Sequence, residues 1–268
     1  MFARFNDQYT MRTYIFILLS SIMVFSCNQP EPIKTPQKKT VVKKKPKLKK
    51  KLAVDTNLIT NENVERKLMA YGKANPETIV KIHTTKGIIS IRLFEDTPLH
   101  RANFIMLAKK GYFEGTVFMR VVKGFMAQGG AAYTGEHTDI KRTIGRYTIP
   151  PEFNSKHIHK QGAVAAAREY RANPDKRSDP YMFYMVEGVR FSDETLDKYE
   201  RKHDKTFSAE QRAYYTKNPG AAHLDGEHTV FGEIISGYSV IPKITAVETD
   251  RKDWPIEDIF IEKVEVVR

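Results

Sequence analysis

In the stretch "FMRVVKGFMAQGG", residues 118–130, one arginine stands inside an apolar run and is followed by Phe125, Met126, Gln128 and two glycines. A strand alternates its side chains, so Phe118, Arg120 and Val122 are expected on one face and Met119 and Val121 on the other. Arg120 is then flanked by apolar neighbours, and a half-buried guanidinium needs an acceptor. Read alone, it fits a rim arginine paired with a carboxylate. Its neighbours fit something more specific: Phe125 and Met126 offer an apolar patch, Gln128 an amide that both donates and accepts, and Gly129 with Gly130 a close turn. A pocket that is apolar on one side and rich in donors on the other suits a proline ring with its flanking peptide bonds.

The stretch resembles the signature of the cyclophilin-type peptidyl-prolyl isomerases, F-H-R-V-I-x-x-F-M-x-Q-G-G, and the resemblance extends over residues 78–267. "GAVAAA" (162–167) is similar to the family's next strand and "MFYMVEG" (182–188) to its Q-F-F-I strand. "HLDGEHTVFGEI" (223–234) is similar to its W-L-D-G-K-H-V-V-F-G-x-V segment. The resemblance implies a mainly β fold, a closed antiparallel barrel capped by two helices, with peptidyl-prolyl cis–trans isomerase activity. It assigns the catalytic role to Arg120. Substrate binding falls to Phe125, Met126, Gln128, Ala167, Arg168, Met182, Tyr184, His223, Leu224 and His228, with Tyr184 as the floor of the proline pocket and Ala167 against the peptide backbone.

Rotating an X-Pro bond breaks amide resonance, against a barrier of ~18–20 kcal/mol. As the amide twists, its nitrogen regains a lone pair, and a guanidinium aimed there stabilises the twisted state over either planar one. That chemistry calls for no metal and no cofactor. Departures from the family pattern are Met119 for histidine, Ala131 for aspartate, Arg168 for asparagine, Met182 for glutamine, Pro180 for glycine and His223 for tryptophan. Met182 cannot make the directional hydrogen bonds of a glutamine, which keeps a second reading open: a non-catalytic module that binds proline peptides or acts as a chaperone. His157 and His159 share one side of an extended chain and would hold zinc only if a third ligand approached.

The elements that must position these residues follow from pattern. "TIVKIHTTKGIISIRLF" reads as two strands about a tight turn. In "DTPLHRANFIMLAKKGYF", Thr97 is placed as N-cap, Pro98 in the first turn and Gly111 beyond the end of a helix. Further strands are expected over 117–122, 125–128, 163–167, 182–186, 229–234 and 259–267, with a short helix over 240–246. Residues 187–221 hold seven acids and seven Lys or Arg, which reads as a charged, solvated helical insertion, Ser192 and Ser208 capping its helices and Gln211 completing a capping box. An N-terminal helical extension over 56–77 is expected to be capped at Thr60 or Asn61, to end at Gly72 and to pack as a flap. The folded domain is then 78–268.

The formal charge of +12 invites a nucleic-acid reading, but residues 34–51 alone carry ten lysines and no acid. The remainder is nearly neutral, and no nucleic-acid partner is expected. The twelve-residue run 14–25, "YIFILLSSIMVF", follows Arg12; it is too short for a membrane span of ~20 residues and suits a signal-peptide core. It ends in "VFSC", which resembles a bacterial lipobox, so residues 1–26 are expected to be a lipoprotein signal peptide cleaved before a lipidated Cys27. Residues 27–55, rich in lysine and proline, form a solvated tether. Taken with the resemblance, these features lead to the expectation of a monomer on the bacterial cell envelope, anchored in the membrane through Cys27, with proline-containing peptides and unfolded exported proteins as its partners.

Overall fold

The computed structural model describes residues 58–267. The expected signal peptide, Cys27 and the tether lie outside them. Among the described residues no helix is long and apolar enough to cross a membrane.

The chain opens with β1 (Ile59–Thr60) and α1 (Val64–Ala74), then the hairpin β2 (Ile79–Thr84) and β3 (Gly87–Leu93), then α2 (Pro98–Lys109). Three short strands follow, β4 (Thr116–Val117), β5 (Arg120–Val122) and β6 (Met126–Gly129). Next come α3 (Gly135–Ile144), β7 (Gly145–Arg146), β8 (Ala163–Ala166) and β9 (Phe183–Val186). Two helices, α4 (Asp193–His203) and α5 (Ala209–Lys217), precede β10 (Val230–Ser236), α6 (Val240–Thr245) and β11 (Phe260–Val267).

Nine strands form one curled antiparallel sheet in the order β4-β11-β2-β3-β10-β8-β9-β6-β5. The expected continuous closure is replaced by a half-barrel. One stretch of chain leaves β11 at Val117 and joins β6 at Arg120, and the ends are linked by an isolated bridge, Val117 with Ala131. The hand-over also breaks the expected alternation. Phe118 is wholly buried in the core with Val121, whereas Met119 and Arg120 both face the outer groove.

Both faces of the central strands are covered, so β8 and β9 are buried at every position. Along β9, Phe183 and Met185 enter the main core while Tyr184 and Val186 enter a second cluster on the outer face; along β8, Val164 and Ala166 alternate in the same way with Ala163 and Ala165. The main core lies inside the curl under α2, in which Leu99 to Ala108 are all buried. Thr97 makes no side-chain cap there; Glu152 takes its place, one carboxylate oxygen accepting from Leu99 N and the other from His100 N, each at 2.9 Å.

Two expectations are corrected. Gly72 does not end α1 but lies within it, because a Cβ there would sit 3.0 Å from Ala102 Cβ of α2: glycine permits the close helix approach. Asn63, not Thr60 or Asn61, stands at the N-cap, its Oδ1 accepting from Thr60 N at 2.9 Å. Helix α3 was not foreseen: its sequence is polar and only His137 and Ile144 of its residues are buried.

Helices α4 and α5 are capped as expected at Ser192 and Ser208, with a capping box at Ser208 and Gln211. They are not simply solvated: Phe191, Leu196, Phe207 and Tyr215 form an apolar cluster with Ala222.

At Gly130, φ is +90°, and a Cβ would stand 2.2 Å from Tyr181 O. Gly130→Ala is therefore expected to destabilise the fold by more than ~1 kcal/mol, as an alanine forced into a left-handed, crowded position does. The shift of the urea midpoint relative to the parent measures it; an unchanged midpoint would contradict the close packing of this turn.

Candidate functional site

The outer face of β6, β8 and β9 carries a cavity of about 260 Å³. Arg120, Phe125, Met126, Gln128, Ala167, Arg168, Met182, Tyr184, Leu224 and His228 all line it. His223 stands one step behind, its ring 5.2 Å from that of Phe125. Met119, Glu169 and Tyr170 also line the cavity and were missed, Tyr170 because it lies in an irregular loop with no pattern to mark it. A larger, polar cavity of about 470 Å³ lies behind the turn at Gly226 and shares His228, but the residues able to act on a peptide bond converge on the smaller one.

Arg120 pairs across the ladder with Gln128. Its side chain is 44% exposed, more open than the sequence pattern implied, and Nε donates to Asp253 Oδ2 at 3.0 Å. Asp253 also accepts from Val121 N through its own carbonyl at 2.9 Å. It adopts φ +64° in a loop wound around Asp250, whose Oδ1 accepts from Lys252 N and Trp254 N at 2.7 and 2.9 Å. Nε is thus the tethered end of the guanidinium. Among the described residues no partner is found for its two terminal nitrogens, and its carbon lies 5.9 Å from the centre of the Phe125 ring.

The floor is Tyr184, whose ring takes the place of the phenylalanine in the resembled motif and whose hydroxyl is fully engaged below it. That hydroxyl bonds His159 Nε2 at 2.9 Å, His159 Nδ1 bonds Asp225 Oδ1 at 2.7 Å, and Tyr215 donates to Asp225 Oδ2 at 2.7 Å. Burial pushes the Tyr184 hydroxyl well above its ordinary range, so it stays neutral. His159 is therefore structural. His157 turns away from it to bond Asp96 at 2.6 Å and stack on Phe94, so the two imidazoles do not converge.

His228 forms a wall. Nδ1 donates to Ala166 O at 3.0 Å, which leaves Nε2 of the neutral ring to accept from Tyr170 Oη at 2.7 Å. Burial, first of all, pushes this imidazole down to about 4. Arg168, expected among the substrate-binding residues, lines the cavity with a side chain that is 5% exposed, and its guanidinium is tied to the Glu227 carbonyl and carboxylate, each at 2.7 Å, beneath the Tyr170 ring. The Ala167 backbone is likewise committed, its N–H to Met182 O and its carbonyl to Asp179 N.

The altered "PYM" segment is ordered by Asp179, whose Oδ1 accepts from Tyr181 N and Met182 N at 2.7 and 3.1 Å. Gln128 reaches only the Met182 sulfur, at 3.9 Å, and so keeps most of its hydrogen-bonding capacity for a ligand.

The family profile of cyclophilin-type peptidyl-prolyl cis-trans isomerases matches residues 79–266. The chain belongs to the cyclophilin family. A Staphylococcus haemolyticus protein, by name a peptidyl-prolyl cis-trans isomerase, is 29% identical over 71% of this chain and 91% of its own length. A Streptococcus pyogenes protein, by name a bifunctional phosphatase/peptidyl-prolyl cis-trans isomerase, is 32% identical over 70% of this chain; the match spans only 38% of that longer protein. Among solved structures, a Cryptosporidium parvum cyclophilin crystallised in the presence of the dipeptide Ala-Pro superposes with a TM-score of 0.50 and 20% identity, covering 71% of this chain and 99% of that one. It shares the cyclophilin fold with this chain.

The imidazoles of this cyclophilin make its stability depend on pH. His223, like His228, is held down at about 4 against an ordinary 6.5, chiefly by burial and then by the neighbouring His159. The unfolded chain protonates both near 6.5 while the folded state keeps them neutral, so the unfolded state binds more protons between the two values. The contribution is complete above that window and is lost as pH falls through it. Melting temperature should accordingly decline on acidification from neutral pH before the carboxylates titrate; a flat profile over that range would refute neutral, buried rings.

Proposed function

We propose that this chain accelerates cis–trans rotation of X-Pro bonds in exported proteins, with Arg120 stabilising the twisted amide, and that it is held on the cell envelope through a lipidated Cys27. The observation that carries the catalytic reading is the state of the Arg120 side chain: anchored by Nε to Asp253, it has no partner among the described residues for its terminal donors, at the mouth of an apolar cavity. Phe125, Met126 and Leu224 make the sides of that cavity and Tyr184 its floor, a fit for a proline ring. Gln128 orients the flanking peptide. The backbone of Arg168, to which no described residue bonds, offers strand-like pairing that Ala167 does not. That a family relative was crystallised in the presence of Ala-Pro agrees with a proline peptide as ligand.

As the amide twists and its nitrogen pyramidalises, the freed lone pair faces the guanidinium. The interaction exists only in the twisted state, so it lowers the barrier without tightening the ground state. Asp253 fixes the direction of the charge by holding Nε, at 3.0 Å. No bond is formed or broken by the protein, and the neutral His228 does not compete with Arg120 for the lone pair. The second reading, a binding module without turnover, draws on the loss of a hydrogen-bonding partner at Met182, and is separated from the first by rate measurements.

Arg120→Ala is expected to lower kcat/KM by about 10²–10³, the cost of losing one preorganised donor to a transition state. Arg120→Lys should recover little, because an ammonium cannot be tethered at one nitrogen while donating from others. Asp253→Ala should reduce kcat several-fold with peptide affinity unchanged, and Asp253→Asn should recover part of it. Exchange spectroscopy on an Ala-Pro peptide checks all four; parent-like rates in Arg120→Ala would end the arginine mechanism.

For the anchor, the comparison is between the full chain and Cys27→Ser expressed in bacteria. The parent should fractionate with membranes and carry a thioether-linked lipid detectable by mass spectrometry of the N-terminal peptide, while the variant should carry none. An unmodified Cys27 in the membrane-bound parent would rule the anchor out.

A further inference from the structure

The helical insertion touches the proline pocket from behind. Its two ends meet backbone to backbone: Val189 and Gly220 form a bridge, and a Cβ on Gly188 would lie 2.4 Å from Gly220 N. The chain leaves this neck directly into the 222–224 turn that carries His223 and Leu224. Three insertion side chains then grip that turn. Tyr215 of α5 donates to Asp225 Oδ2 at 2.7 Å. Lys205, between the helices, donates to Ala222 O at 3.2 Å and also to Asp225 O. Tyr199 of α4 stacks on His223 at 5.7 Å and 21°, and His223 in turn packs on Phe125.

Two features make these contacts more than general packing. His223 Nδ1 is buried and has no hydrogen-bond partner among the described residues, so stacking between Tyr199 and Phe125 is what sets its ring. Asp225 is the hub between Tyr215 and His159, and His159 holds the hydroxyl of the pocket floor, Tyr184. A displacement of α4 or α5 would therefore reach two sides of the pocket along separate routes.

We infer that the insertion is a positioning element of the proline pocket, in which Tyr199, Lys205 and Tyr215 are positioning residues that fix His223, Leu224 and Tyr184. Arg120 is anchored from the opposite side by Asp253, so the insertion governs how well the proline ring is seated and leaves the rotation step itself alone. This rests on the cavity being the peptide site.

The test uses the full chain with Tyr199→Ala and Tyr215→Phe, and with Lys198→Ala as a control on the same insertion, where Lys198 pairs only with Glu194 on the exposed face. The dissociation constant of a short Ala-Pro peptide is taken from NMR titration, the rotation rate of the bound peptide from exchange spectroscopy, and the order of the turn from the His223 and His228 ring signals and amide exchange over 221–228. The inference requires weaker binding by several-fold in both test variants, a bound-state rotation rate within twofold of the parent, shifted His223 signals and faster amide exchange at the turn, with Lys198→Ala unchanged. If Tyr215→Phe fails to fold, Tyr199→Ala decides alone. Parent-like affinity and parent-like turn signals in a folded Tyr199→Ala would overturn it. A parent that does not bind the peptide would instead remove the reading of the cavity, and the ring signals and amide exchange would still decide whether the insertion holds the turn.

Discussion

On the mechanism proposed, a guanidinium assists the twisting of an amide only if its donors are kept for that amide, and this constraint bears first on the surroundings of Arg120. A fully satisfied arginine has nothing left to give, and an untethered one loses orientation. Nε donates to Asp253, and among the described residues the terminal nitrogens have no partner, an arrangement consistent with both demands. Holding Asp253 in place requires the loop wound on Asp250 and a backbone bond to Val121. Bringing Arg120 to the groove requires the break between Phe118 and Met119, where one strand changes partners. Phe118 then fills the core while Met119 and Arg120 turn outward.

The rest of the sheet supplies a surface against which a proline can lose water. Because the inner face of β8 and β9 is filled under α2, the outer face has a packed base, in which Ala163 and Ala165 are buried and Ala167 lines the cavity. The polar groups beneath the pocket are satisfied: the Tyr184 hydroxyl by His159, His159 by Asp225, and Asp225 by Tyr215. Leaving any one of these buried groups without its partner would cost ~1–3 kcal/mol, so the relay acts as a unit. The larger polar cavity beside it is lined by groups that already have partners, such as Lys176 paired with Glu227 and His157 hydrogen-bonded to Asp96.

What could be read in the sequence was what is local. Arg120, Phe125, Met126 and Gln128 fall within nine residues of one another, and the alternation of Tyr184 and Val186 with Phe183 and Met185 is visible in any strand. The hairpin, α2, the insertion's capped helices and the last strand carried period and caps. What stayed hidden depends on distant chain. Asp253 lies 133 positions from Arg120, and nothing in its neighbourhood marks it as the partner. Glu152, 53 positions from Leu99, takes the place of Thr97 as the cap of α2. The fate of Arg168 was set by Glu227, and the insertion, balanced in charge, concealed the few apolar and aromatic side chains that dock it. The half-barrel, too, follows from a change of ladder partner that alternation alone does not reveal.

The most direct measurement is the interconversion rate of an Ala-Pro peptide while bound to the full chain at saturation, by NMR exchange with no coupling protease. Unassisted X-Pro bonds take roughly tens to hundreds of seconds. The account predicts interconversion of the bound peptide faster than that by several orders of magnitude. A peptide that binds in the cavity and still interconverts at the unassisted rate would contradict it, and would make this groove a place where prolines are held and not turned.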